Sequence, residues 1–275
     1  MKPLKPKRGI NMMLYVALLL LVVMLMVSLR TCSVRDPFGD IRRMPSQGDT
    51  LDVAIEYSPL SLYRYADTLG GFNYDALRSM VRQNGMALKF HPMVSLTQGM
   101  DGLESGLYDI IVADMPVTVD LQERFEYTEP IYLDRQVLVQ RRDSTGALAI
   151  NSQLDLAGKE VWVPANSPIE GRIRNLSSEI GDTIIVSSDE EYGPEQLFLL
   201  TAAGEIDLSV VNERVARIMA KDYENIDIST DVSFTQFQAW LMRKEEPALA
   251  DSLNAMIRRF KVSPEYDALI KRYFK

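Results

Sequence analysis

From Leu51 onward, short unbroken apolar runs alternate with stretches whose apolar residues recur three and four positions apart. The clearest run, Tyr108–Ala113 (YDIIVA), follows a helical pattern that closes at Ser105-Gly106. A strand apolar on both faces is buried on both faces, as in a parallel sheet covered by helices. Alternation of such strands with amphipathic helices is the pattern of α/β architecture. Ligands of these sheets sit just beyond the carboxyl ends of the strands. The polar loop after Ala113 is therefore the first place to look for a site.

The periodicity predicts a strand at 51–55 and a helix from about Tyr74, with Leu77, Met80 and Val81 on one stripe and a stop at Asn84-Gly85. A strand at 88–92, a helix from about Ser95, the 108–113 strand and a strand at 136–140 follow. Residues 141–152 are polar and read as a boundary. A second set begins with a strand at 160–163 and a helix opening at Asn166-Ser167-Pro168. Next come a strand at 183–187, a helix with Pro194 in its first turn and Gly204 after its end, and a strand at 207–211. One more strand with its loop is expected across Phe234–Arg243, then a helix marked by Leu253, Met256, Ile257 and Phe260. The halves are alike, and the last segment has no partner in the second. The economical chain path builds lobe one from 51–140 and 230–275, with lobe two, 141–229, between. A hinged cleft between lobes is a natural ligand trap.

Charge and composition exclude several function classes. A net charge of −8 is wrong for nucleic acid, which needs clustered basic surface. One histidine, His91, and one cysteine, Cys32, rule out paired-histidine or Cys/His metal sites and an intrachain disulfide. No cofactor is expected, and His91, in the alternation LKFHPM, reads as a strand residue.

Residues Met12–Leu29 form an uncharged apolar run about long enough to cross a bilayer as a helix. Lys2, Lys5, Lys7 and Arg8 precede it, so residues 1–11 are expected to stay cytoplasmic and the body to be exported. Two readings stand. The run is an uncleaved signal anchor, or it is a signal cleaved before Cys32, which would then carry lipid. Arg30 and Thr31 are poor residues before such a cleavage. Either way the body is tethered at the outer face of the cell membrane, with 30–50 as linker.

Several segments carry a resemblance. Tyr57-Ser58-Pro59-Leu60 precedes Gly71-Phe72-Asn73-Tyr74-Asp75, and Leu103–Ala113 is followed by Tyr127-Thr128-Glu129-Pro130-Ile131-Tyr132. Later, Leu156-Ala157-Gly158-Lys159 precedes Val161-Trp162-Val163, and Gly204-Glu205-Ile206-Asp207 precedes Val210-Val211-Asn212. From Leu51 to Lys275 the chain resembles the bacterial extracellular solute-binding proteins of family 3, which implies the two-lobe type II periplasmic-binding fold. Tyr57-Ser58-Pro59-Leu60 and the closing segment, with Ser233-Phe234, Trp240, Arg243-Lys244 and Ala248–Asn254, are most similar to the binding domain of membrane-bound lytic transglycosylases F. In those enzymes a catalytic domain follows, and its glutamate would lie beyond Lys275.

In the family, free amino acids are gripped by an arginine after the third strand of lobe one and an aspartate in lobe two. The matching positions here are Leu121 and Asn212, and Pro116 stands where a hydroxyl and an N–H are usual. The resemblance thus implies a cleft that has lost its zwitterion clamp and suits a neutral or larger small-molecule ligand. Candidate binding residues are Tyr57, Tyr63, Met115, Thr118, Arg124, Asn166, Ser167 and Asn212. Tyr57 and Tyr63 offer stacking faces, and Arg124 lies one helical turn past Leu121. Asn166 and Ser167 open a helix, where N-capping is the ordinary use of Ser167. Asp114, Glu129 and Asp207 read as structural or solvated acids.

The function expected is a non-catalytic, membrane-tethered solute-binding or sensing module for a cell-wall fragment, peptide or amino-acid derivative, partnered with a transporter or cell-wall enzyme. Two alternatives remain: a scaffold with a degenerate cleft, and a transglycosylase-related enzyme, which would need an acid of raised pKa in a groove.

Overall fold

A computed structural model of the chain describes residues 50–82 and 86–274, together with 15, 18–22, 24 and 26, which are helical with exposed side chains. The chain divides into two compact units, Met1–Pro45 and Ser46–Lys275. Among the described residues no helix is long and apolar enough to cross a membrane. More than half of the expected span at 12–29, Cys32 and the linker up to residue 49 lie outside the described residues, as does the expected cap at Asn84-Gly85.

The elements alternate as the hydrophobic pattern requires. They run β1 (Thr50–Glu56), β2 (Tyr63–Tyr65), β3 (Thr68–Gly70), α1 (Phe72–Arg82), β4 (Ala87–Met93), α2 (Leu96–Glu104), β5 (Ile110–Val112) and α3 (Val119–Arg124). Then come β6 (Glu126–Tyr127), β7 (Tyr132–Asp134), β8 (Gln136–Arg141), β9 (Glu160–Pro164), α4 (Pro168–Ile180), β10 (Ile185–Asp189) and α5 (Pro194–Ala203). The chain ends with β11 (Leu208–Asn212), α6 (Glu213–Met219), β12 (Ile226–Asp227), β13 (Gln236–Gln238), β14 (Leu241–Met242), α7 (Pro247–Lys261) and α8 (Pro264–Tyr273). Helices α4, α5, α7 and α8 each start on a proline, whose fixed φ and missing N–H suit a first helical turn. Gly181 and Gly204 end α4 and α5 in the left-handed region, at φ 71° and 87°.

Two five-stranded sheets result. The first has the order β4-β1-β5-β14-β6, with β1 parallel to β4 and β5, and β14 antiparallel to β5. The second has the order β10-β9-β11-β8-β12, parallel through β9 and antiparallel where β8 meets β11. Strand β8 departs from expectation. The hydrophobic pattern groups it with lobe one, yet Gln136–Gln140 pairs with Asn212–Leu208 in the second sheet. Its run Val137-Leu138-Val139 is fully buried, and an all-apolar strand carries no mark of which sheet will bury it. Likewise the single strand expected near Phe234–Arg243 is two. Strand β13 pairs with β7, and β14 joins the first sheet.

The β7–β13 ribbon is the hinge, where the chain leaves the first sheet and later returns to it. One apolar core runs unbroken across it, from Val53, Phe72 and Trp240 to Val137, Val211 and Val215. Each sheet buries its other face in a separate cluster, around Met100, Ile111 and Leu121 in lobe one and around Val161, Ile173 and Val210 in lobe two. The hinge is braced by charge as well. The Arg135 guanidinium meets Glu213 at 2.8 and 2.9 Å and Asp231 at 2.6 Å.

Candidate functional site

The carboxyl ends of β1, β4 and β5 face those of β9, β10 and β11 across a cleft, and the lobes are closed upon it. Among the described residues, three hydrogen bonds cross directly. The Asn212 amide donates to the backbone carbonyl of Asp114 at 2.5 Å, Ser95 Oγ to that of Glu190 at 2.5 Å, and Asn166 Nδ2 to Thr97 Oγ1 at 2.9 Å. Gly193 comes so near that a β-carbon there would lie 3.0 Å from the Val94 carbonyl oxygen. The cavity left there is about 30 Å³, and its walls include Glu56, Asp114, Met115, Pro116 and Ser167.

Two acids dominate this cavity. Glu56 ends β1 and Asp114 lies two residues past β5, so parallel pairing of the two strands brings them together. Asp114 Oδ1 accepts from Asn73 Nδ2 at 2.8 Å and from the Tyr132 hydroxyl. Its other oxygen has no partner, although the residue is buried, and Glu56 Oε2 is equally sealed and unpartnered. Burial pushes the Glu56 carboxyl well above the usual carboxylate range, and the neighbouring charge of Asp114 adds to the rise. Burial raises Asp114 too, against the opposing hydrogen bonds from Tyr132 and Asn73. A third acid, Glu195 in the first turn of α5, also carries a buried oxygen without a partner, and its charge acts on Glu56 from the other lobe.

Other buried polar groups also lack partners. Asn212 Oδ1, both ends of the Gln136 amide and Gln238 Oε1 are buried without partners. Gln136 lies opposite Asn212 in the ladder, and Gln238 bridges to Pro116. Buried polar atoms are normally hydrogen-bonded. Three of the exceptions lie where the lobes meet: Glu56 and Asp114 line the cavity, and Asn212 bonds across the cleft.

The expected site residues divide. Met115 and Ser167 line the cavity, and Asn212 and Asn166 reach across it. Asn166 does so from a left-handed backbone, φ 56°. Ser167 does not cap α4 with its side chain as expected, because its hydroxyl donates to the Pro164 carbonyl at 2.6 Å. Thr118 precedes α3, where its N–H meets the Tyr127 hydroxyl at 3.4 Å. Tyr57 is tied by its N–H to the Met93 carbonyl at 2.7 Å. Tyr63 lines a separate groove with Glu195 and Tyr223. Arg124 is not brought to the cleft. It pairs with Glu104 at 2.7 Å and lies over the Phe125 ring, because α3 turns that face outward and buries only Leu121. Glu129 and Asp207 form surface pairs with Arg258 and Arg141. Sequence reasoning misses Glu56 and sets Asp114 aside. The available signal is an acid placed directly at the end of each of two apolar strands.

Three comparisons bear on this geometry. A family model described as bacterial extracellular solute-binding proteins, family 3, matches residues 50–275. The membrane-bound lytic murein transglycosylase F of Aeromonas salmonicida is 29% identical over 238 residues, covering 86% of this chain and 46% of the enzyme. The chain thus spans about half the length of the transglycosylases it matches. The amino-acid-binding protein AabA of Dichelobacter nodosus is 25% identical over 82% of this chain and 88% of its own length. Among solved structures, an ancestral arginine-binding protein bound to arginine superposes with a TM-score of 0.72 at 22% identity, covering 84% of this chain and 100% of that one. An ancestral amino acid-binding protein described as a precursor of cyclohexadienyl dehydratase gives 0.68 at 21% identity, over 82% and 96%. These likenesses establish the two-lobe periplasmic-binding fold.

Proposed function

This chain belongs to the bacterial extracellular solute-binding proteins of family 3, and from that premise we propose that it is a non-catalytic solute-binding or sensing module, tethered to the outer face of the cell membrane. The single observation that carries the ligand-binding reading is that unpartnered buried polar atoms of both lobes, Glu56 Oε2, Asp114 Oδ2 and Asn212 Oδ1, lie where the lobes meet. A ligand entering an opened cleft would supply their partners and draw the lobes together. The tether rests on the apolar run Met12–Leu29 and its basic flank, together with relatives whose names call them membrane-bound. Candidate ligand classes are an amino-acid derivative, a peptide or a cell-wall fragment, the last because the transglycosylase relatives act on murein. A cell-wall enzyme or a transporter is the partner such a module would serve.

The experiment is an unbiased ligand search. Native mass spectrometry of the protein purified from its membrane, followed by thermal-shift screening of amino acids, amines, peptides and muropeptides, should find a class that raises the melting temperature. Absence of any bound or stabilising compound would count against ligand binding and favour a second reading, a scaffold with a sealed cleft. The three direct hydrogen bonds between the lobes and the small cavity support that alternative. Release of soluble fragments from purified murein by this chain would overturn the non-catalytic assignment.

A further inference from the structure

The geometry points to an organic cation without a carboxylate group, an amine or guanidine, as the ligand that Glu56 and Asp114 take between the lobes. This rests on the solute-binding reading above and narrows it to a chemical class.

Each acid of the cleft has one oxygen without a donor. Asp114 presents Oδ2 and Glu56 presents Oε2 with no hydrogen-bond partner on either. A sealed carboxylate oxygen without a partner is costly, and burying charge of one sign is worse unless an opposite charge meets it. Among the described residues no cation of the chain is placed to do so. Arg124 is committed to Glu104. The charge of Arg214 reaches Asp114 from the hinge, but its guanidinium is held by the Leu133 carbonyl at 3.1 and 3.2 Å and lies 3.8 Å over the Phe274 ring. In the closed cleft burial favours the protonated forms of Glu56 and Asp114 instead. An entering ammonium or guanidinium would release those protons and donate to the orphaned oxygens through charge-assisted bonds.

A ligand carboxylate would find no such welcome. Leu121 is buried in the lobe-one core with Met100 and Phe125 and brings no charge. The Asn212 amide is already spent on the Asp114 carbonyl. The two lobe-two helices that start at the cleft, α4 and α5, begin with prolines and carry Glu170 and Glu195 in their first turns. Acids of the chain therefore already answer their positive ends. A ligand carboxylate would lie beside the Glu56 and Asp114 oxygens with no cation to receive it. The same acids that attract an amine repel an amino acid.

Matched ligand pairs test this. Agmatine differs from arginine, and cadaverine from lysine, only by the missing carboxylate. Isothermal calorimetry on the 275-residue chain near pH 7.5 should show each amine binding at least tenfold more tightly than its amino acid. The Glu56→Gln variant should weaken agmatine at least tenfold while melting no lower than the parent, which separates a lost contact from a lost fold. Asp114→Asn, which keeps the shape but not the charge, should act the same way. Equal or tighter binding of arginine and lysine would overturn the proposal, as would agmatine affinity unchanged in Glu56→Gln. If none of the four compounds binds but a neutral muropeptide does, the cation assignment falls and the solute-binding reading stands. If no compound of any class binds, both fall.

Discussion

The side-chain amide of Asn212, at the end of β11, donates across 2.5 Å to the backbone carbonyl of Asp114, two residues past β5. This one bond joins the parallel strands of two sheets at the floor of the cleft. Replacing Asn212 by alanine removes a neutral hydrogen bond and should cost about 1 kcal/mol. Asn212→Asp goes further, because it sets a carboxylate against a carbonyl oxygen and beside two acids. The variant should open the lobes, seen as a larger radius of gyration in solution X-ray scattering. An unchanged scattering curve would show that the bond does not hold the closed form.

Stability should fall as the pH rises from about 5 to 8. Burial pushes Asp134 in the hinge strand up to about 7, and raises Glu56 and Asp114 as well. Groups with raised folded-state values hold protons that the unfolded chain releases, so the stability they confer at low pH is lost as pH climbs through the folded values. Every tenfold difference in proton affinity between the folded and unfolded chain is worth about 1.4 kcal/mol, which places the combined loss at several kcal/mol. Acids with lowered values, such as Asp143 and Asp155, matter only below about pH 4, where the opposite trend begins. Melting temperatures in calorimetry should therefore peak near pH 5, and Glu56→Gln should flatten the decline above it.

Arg135 is the hub of the hinge charges, joined to Glu213 and Asp231. It is about one-third exposed, so solvent screens the pairs, and Arg135→Ala should cost only about 1 kcal/mol. Its larger effect should be local. Hydrogen exchange of the returning segment, residues 228–238, should quicken while the cores of both lobes stay protected. Uniform quickening would show a global loss of stability instead.

Leu121, which the resemblance to the family sets at the arginine position of its amino-acid binders, is packed against lobe-one core residues. Leu121→Arg should destabilise the protein by about 3 kcal/mol, since it buries an unpaired charge. It should confer no affinity for arginine in calorimetry. A variant that melts like the parent and binds arginine would show that the clamp can be rebuilt by one residue.

Much of the fold is legible in the sequence because burial leaves a periodic trace. The apolar stripe Leu77, Met80 and Val81 and the run at 110–112 demand buried faces whatever the partner, and both appear where the pattern puts them. The site is less legible. Spacing from a motif points to Arg124 and Ser167, but the outward turn of α3 and the Pro164 carbonyl claim their polar groups. Glu56 and Asp114 are ordinary acids in sequence, separated by more than fifty residues.

By itself, then, the sequence determined the alternation of strands and helices and the return of the chain to lobe one after lobe two. These are local or pattern properties, written in hydrophobic period and residue type. Only the tertiary structure decided that β8 belongs to the second sheet, because an all-apolar strand fits any sheet that buries it. Only the tertiary structure brought Glu56 and Asp114 together at the cleft. The cost of an unpaired acid depends on desolvation and on neighbours, and folding sets both.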